Sequence, residues 1–179
     1  GLGYLKQLNV VDHNTNELKP MIMNALHYYD REMKKQFDRM VKTKNENRNP
    51  VPFTSAYVYV RSFFMDIPVA AGCDSSFLFF KKTTAAYWNE MHLMQQAMTA
   101  LALHRFENYS VSQAIMRSLK ERALFSDELG VYWKENSGGF YWYAAPIETQ
   151  ALLIEAFSEI LNDQKFVEEM KIWLLKNKQ

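Results

Sequence analysis

Gly130–Gln150 reads GVYWKENSGGFYWYAAPIETQ, and this stretch decides the fold. Val131, Tyr132 and Trp133 are a run of β-favouring residues, and Phe140 to Tyr143 are another. Asn136, Ser137, Gly138 and Gly139 lie between them and supply the positive-φ positions of a tight reversal. The stretch predicts one short aromatic β-hairpin or ordered loop. A lone hairpin is marginal in water, so this one is expected to lie against helices. Strand alternation would bury half of its aromatic side chains and expose the rest. Pro146 has no N–H to lose in a helix's first turn, and its fixed φ suits that place. A helix therefore opens there. Glu148 falls in its first turn, where the helix dipole favours a carboxylate.

On either side of this stretch the chain reads as helix after helix. Leu2, Leu5 and Leu8 suggest the tail of a helix ending near Asn9. Val10–Asn14 reads as a loop. Asn16–Thr43 carries Leu18, Ile22, Leu26, Tyr29, Met33 and Phe37 close to a 3.6-residue period. Lys44–Pro52 is a polar connector. Phe53–Met65 holds the β-favouring run Tyr57–Val60, yet Phe53, Tyr57, Val60 and Phe64 also share one helical face, so helix is preferred. Ile67–Pro68 stops it. After a loop at Gly72–Ser76, helices are expected over Ser76–Trp88 and Glu90–His104. Ser110 and Gln113 have capping-box spacing ahead of Val111, Ile115 and Leu119, in a helix ending near Phe125. Past the aromatic stretch, Pro146–Leu161 is helical. Asn162–Asp163 caps a last helix with Phe166, Val167, Met170, Trp173 and Leu174 on one face. No β-α alternation is present. The expectation is an all-α fold of antiparallel helix pairs, forming part of an α/α toroid or solenoid-like array, in one helical domain over residues 1–179.

Composition bounds the function classes. The chain has 179 residues, 48% of them hydrophobic, and a net charge of +1. That is enough apolar material for a packed core, and the charge gives no basic footprint for nucleic acid. Lys42–Arg48, the one short basic patch, is interleaved with Asn and Glu and reads as a solvated loop. Cys73 is the only cysteine, so an intrachain disulfide and a cysteine metal site are both ruled out. No run of 18 apolar residues appears. The chain opens Gly1-Leu2-Gly3-Tyr4 and ends in Lys176-Asn177-Lys178-Gln179. It reads as a piece of a larger multidomain protein.

No residue set demands catalysis. Glu148 and Glu155 lie seven apart on one helical face, and paired carboxylates with nearby aromatics are what a glycosidase uses. A first-turn dipole partner and a surface charge explain them more simply. His13, His27, His92 and His104 show no metal-ligand spacing. Cys73 precedes Asp74-Ser75-Ser76 in a loop and reads as an inert small residue. No phosphate loop and no nucleophile elbow are present. The reading assigns no catalytic, metal or cofactor residues. The candidate interaction surface is Tyr132, Trp133, Tyr141, Trp142, Tyr143 and Glu148, because exposed aromatics mark interfaces.

The block GVYWKENSGGFYWYAAPIETQALLIEAFSEI and the later DQKFVEEMKIWLLKNKQ resemble the alpha-2-macroglobulin family in its bacterial form. The upstream segments YWNEMHLMQQAMTALALHRF and AIMRSLKERALFSDELGVYW resemble it too. The resemblance implies a thioester-type α/α toroid of the terpenoid-cyclase-like shape. It also implies a parent protein that is secreted or periplasmic, often lipid-anchored, and that traps endopeptidases. Its partners would be proteases, met by the parent protein, and neighbouring β-domains of the same chain; no nucleic acid is implied, and membrane contact would come only through an anchor outside this chain. Covalent capture in that family needs Cys-x-Glu-Gln. Here Cys73 is followed by Asp74-Ser75-Ser76, so this stretch has no thioester. The implied role is non-enzymatic, as a helical domain of a protease inhibitor. The rival is a carbohydrate-active toroid or sugar-binding domain using Glu148, Glu155 and the aromatic cluster.

Overall fold

A computed structural model describes residues 2–7, 18–42 and 53–177. The loop expected at Val10–Asn14, the connector at Lys44–Pro52, and His13 lie outside them. The fold is mostly α-helical, and the described residues hold a single two-stranded antiparallel sheet. The chain divides into two compact units, Gly1–Ala86 and Tyr87–Gln179.

In the first unit, α1 spans Leu2–Gln7, α2 Leu18–Lys42, α3 Thr54–Ser62 and α4 Asp74–Tyr87. Ile22, Leu26 and Met33 form the buried stripe of α2. Ile22 and Leu26 join Phe64 and Ile67 in an apolar cluster. The same stripe of α2 also buries a charge. Asp30 is wholly buried and accepts hydrogen bonds from the Tyr57 hydroxyl at 2.8 Å and the Ala70 amide at 2.9 Å. Arg61 Nε stands 3.8 Å from the same carboxylate, and Arg61 Nη2 donates to Ile67 O at 2.7 Å.

This network explains why the β-favouring run Tyr57–Val60 is helical. Tyr57 and Arg61 must both face Asp30, and a spacing of four puts them on one side of a helix. The Tyr57 ring also meets Tyr29, Phe77 and Phe80 at centroid distances of 5.0, 5.9 and 6.1 Å. Burial first, and the bond to Asp30 second, push the Tyr57 phenol's pKa far up. It therefore remains a donor across the physiological range.

In the second unit a 3₁₀ turn at Trp88–Glu90 leads into α5 (Leu93–Arg105), which packs on α6 (Tyr109–Arg122) and α7 (Pro146–Ala156). Nearly every face of α5 is buried, as its Met-, Ala- and Leu-rich sequence requires. Three residues join α5 to α6, so the two make an αα-hairpin. α7 runs on into a π-helical turn at Phe157–Leu161, and α8 follows at Gln164–Asn177. Asn162 ends the π turn in the left-handed region, at φ 50°. Asp163 Oδ1 accepts the Phe166 amide at 3.2 Å and caps α8.

Two local expectations are corrected. Ser110 and Gln113 make no capping box. The Ser112 amide already bonds to Asn108 O, so Ser110 lies inside the first turn and faces Asn108 Oδ1. A capping box forms instead at His92 and Gln95, ahead of α5. The hairpin is also displaced. Its strands are β1 (Leu124–Ser126) and β2 (Gly130–Tyr132), and Phe140–Tyr143 is not a strand. The Ser126 hydroxyl accepts the amides of Glu128 and Leu129, both at 3.3 Å. That closes a three-residue loop, and Gly130 leaves it at φ +68°. The Asn136–Gly139 turn signal is used to fold the aromatic loop back on itself rather than to pair strands.

β2 lies against α8, and Gly130 is the closest point of that contact. A Cβ at this position would stand 2.1 Å from Glu169 O. Gly72 has a similar φ of +76° but open space around it. Gly130→Ala combines a left-handed strain of about 1–2 kcal/mol with a backbone clash. It should lower the thermal midpoint by at least about 5 °C, whereas Gly72→Ala should cost only about 2–4 °C. Equal losses in the two variants would show that β2 does not press on α8.

Candidate functional site

The aromatic stretch is built outward from Trp133. This side chain is only 2% exposed. Its indole Nε1 donates to Leu119 O at 2.8 Å, and its ring packs on Phe157 and Phe166 at 6.0 and 6.4 Å. Trp133 is thus core rather than contact surface, and Tyr132 is half-buried. An indole can be buried without penalty only where its N–H finds an acceptor, and the α6 carbonyl supplies one.

Gln150 fixes the other end. It is fully buried in α7, and its Nε2 donates to Val131 O at 2.9 Å and to Met170 O at 3.1 Å. One side-chain amide therefore joins α7, β2 and α8. Asn136 Nδ2 adds a bond to Pro146 O at 3.1 Å, tying the start of the loop to the start of α7. Sequence reading passes over Gln150, because polar residues on helices are usually exposed. The available signal is its place directly before the apolar run Ala151–Ile154.

Between these anchors the chain forms an aromatic ledge. The Gly139 amide donates to Ala144 O at 3.1 Å and the Ala144 amide to Tyr141 O at 2.9 Å, closing Gly139–Ala144 on itself. Phe140 at the tip is 98% exposed and Tyr141 62%. Tyr141 stacks on Tyr143 at 5.3 Å, and Tyr143 stacks on His92 at 4.3 Å. Trp142 meets Tyr143 edge-on at 5.5 Å. His92 also caps α5, so the three-ring stack is rooted in the central helix. Of the expected surface residues, Tyr141, Trp142 and Tyr143 are brought together on this ledge. Glu148 is exposed in the first turn of α7, and Phe140 is the exposed ring that the sequence-based surface omitted.

The acidic pair is taken apart. Glu155 Oε1 accepts Arg105 Nη2 at 2.9 Å, and Glu159 binds the same guanidinium through two bonds of 2.8 and 2.6 Å. Burial works against the Arg105 charge, but the bonds and charges of Glu159 and Glu155 outweigh it and push its pKa up. Glu155 is therefore committed to a structural ion pair. Glu148 sits seven residues earlier, about 10 Å along the helix axis.

The remaining candidates are also accounted for. His27 Nε2 lies 3.2 Å from Pro68 O, and His104 packs edge-on against Tyr109. Among the described residues no group of three His, Cys, Asp or Glu is placed to hold a metal. Cys73 is buried, and that burial, with the Asp30 carboxylate second, pushes its thiol's pKa up. A thiol held protonated is a poor nucleophile. No described helix is long and apolar enough to cross a membrane. Comparison with protein-family models, curated proteins and solved structures finds no match.

Gln150→Leu should cost about 1–3 kcal/mol, because each carbonyl it leaves keeps a second lone pair for its own element. Gln150→Ala adds a cavity and should cost about 2–4 kcal/mol. Urea denaturation of both variants checks this order. Two neutral results would mean that the Gln150 bonds do not hold the three elements together.

Proposed function

We propose that this chain is a non-catalytic helical part of a bacterial alpha-2-macroglobulin-like protease inhibitor, and that its helix pairs belong to an α/α toroid. The observation that carries the reading is the ledge. The block that resembles the family, Gly130–Ile160, builds an exposed aromatic loop rooted in buried helices. Exposed aromatic anchors presented on a buried scaffold are what a docking surface uses. The occupant in this reading is a neighbouring β-domain of the parent protein or the trapped protease. The parent would act in the periplasm or cell envelope. Cys73, protonated and followed by Asp74-Ser75-Ser76, gives no support to covalent capture by this stretch.

The carbohydrate-active alternative draws less support. A glycosidase needs two carboxylates facing one cleft at roughly 5–10 Å, one with a raised pKa. Glu155 is already neutralised by Arg105, and Glu148 is solvent-exposed.

The test is protease trapping by the whole inhibitor, read as a slower-migrating complex on a native gel. A complex with at least one endopeptidase is expected. The double variant Phe140→Ser, Tyr141→Ser should keep its thermal midpoint, because both rings are exposed, and should lose at least about fivefold in complex yield, as hot-spot truncation does. Methylamine separates covalent capture elsewhere in the parent from non-covalent trapping. No complex with any protease would defeat the inhibitor reading. A complex unchanged by the double variant would remove the ledge from it.

A further inference from the structure

β1 is an open edge. Opposed residues in an antiparallel pair alternate between those that exchange hydrogen bonds and those that exchange none. In this hairpin the opposed pairs are Leu124–Tyr132, Phe125–Val131 and Ser126–Gly130. Val131 O is turned away from β1, where it accepts Gln150 Nε2 at 2.9 Å. Phe125–Val131 is therefore the unbonded pair, and the Phe125 N–H and C=O point out of the sheet on the far side of β1. Neither meets a backbone partner outside the hairpin among the described residues. Protein edges are usually blunted by a charge, a proline or a covering element. Leu124-Phe125-Ser126 carries no charge and no proline, and Leu124 and Phe125 are 41% and 63% exposed. Beside this edge lies a groove of about 280 Å³, walled by Leu124, Phe125 and Val131 of the hairpin and by Lys165, Phe166 and Glu169 of α8. Lys165 and Glu169 offset each other in charge, and Lys120, which also lines the groove, is spent on Asp163 at 2.6 Å. Asp127 and Glu128, in the turn that ends β1, are exposed and make no ion pair.

We propose that β1 docks an extended segment of a partner protein as a third strand. Two independent features call for this same occupant. An extended backbone offers an acceptor and a donor at the spacing of the Phe125 N–H and C=O. Strand addition uses such bonds for affinity and adjacent pockets for selectivity. The partner residue opposite Phe125 shares its face of the sheet, as opposed strand residues do, and is thereby directed at the groove. Leu124, Phe125, Val131 and Phe166 suit one large apolar side chain there. A basic residue toward the Asp127–Glu128 end completes the match in charge. A second copy of this chain fits less well. Pairing two β1 edges about Phe125 sets Ala123 opposite Asp127, and opposite Glu128 it sets Arg122, which is already bound to Glu135. The inference stands apart from the inhibitor reading and uses no residue of the aromatic ledge.

The probe is the acetylated, amidated peptide KTVFVTK, titrated into the full chain and read by amide-resolved NMR. Lysine at both ends serves either strand direction. Saturable binding is expected, with the Phe125 amide showing the largest shift and gaining at least about tenfold protection from hydrogen exchange. That readout is made on the native chain and needs no variant to fold. Phe125→Pro removes the outward donor and leaves the bonds within the hairpin in place, so affinity should fall about three- to tenfold. Phe125→Leu keeps the edge and should bind better than the proline variant. The peptide ETVFVTE, with its end charges reversed, should bind about threefold or more weakly. KTVSVTK, with no apolar side chain at its centre, should lose about tenfold or more. The double ledge variant Phe140→Ser, Tyr141→Ser should bind KTVFVTK as the native chain does. No saturable binding up to millimolar peptide, binding that leaves the Phe125 amide unprotected, or equal affinity in Phe125→Pro would overturn the proposal. So would self-association of the chain without peptide, read by sedimentation and lost in Phe125→Pro, since a second copy would then be the occupant.

Discussion

The second unit depends on one buried amide. Gln150 Nε2 reaches both Val131 O and Met170 O, so a strand and two helices share a single side chain. Gln150 is buried and carries four hydrogen-bonding positions that must be met, and it meets its donors only when β2 and α8 are both in place. That makes the arrangement specific rather than merely compact. Gly130 enforces it from the other side, since only the absence of a Cβ lets β2 come so close to Glu169 O. Trp133 then follows β2 into the core, and the chain beyond it must leave the surface as a loop. The aromatic ledge is thus a consequence of the joint beneath it.

The first unit solves a similar problem with charge. Asp30 is wholly buried yet receives the Tyr57 hydroxyl and the Ala70 amide, with Arg61 close by. A buried ion pair adds little net stability over apolar packing, but a variant lacking one partner strands the other. Arg61 is not fully served, since Nε and Nη1 lack hydrogen-bond partners.

Much of this architecture was legible in the sequence. Pro146 marked the start of α7, Asn162–Asp163 the turn into α8, and the apolar period of α2 its length, because each signal is local chemistry that tertiary packing does not oppose. Phe140–Tyr143 misled because high β propensity describes a residue suited to a half-buried pleated surface, and the partner available to Val131 was Phe125, not a later residue. Ser110 misled because spacing alone cannot say which residue opens the first turn. The ledge was legible as an aromatic cluster, but not in its exposure: Trp133 is buried and Phe140 is the outermost ring. The groove beside β1 was not legible at all, since it brings together residues from Lys120 to Glu169 that no periodicity connects. Glu155 shows the same limit, because its role is set by Arg105, fifty residues away.

The most direct test of this account is residue-resolved hydrogen exchange of the native chain. The account predicts that β2 and the Thr149–Leu153 turns of α7 exchange as slowly as the interior of α5, in one cooperative unit, while Ser137–Trp142 exchanges orders of magnitude faster. Fast exchange at Val131–Trp133, matching the loop instead of α5, would contradict it and show that the Gln150 joint does not hold the ledge in place.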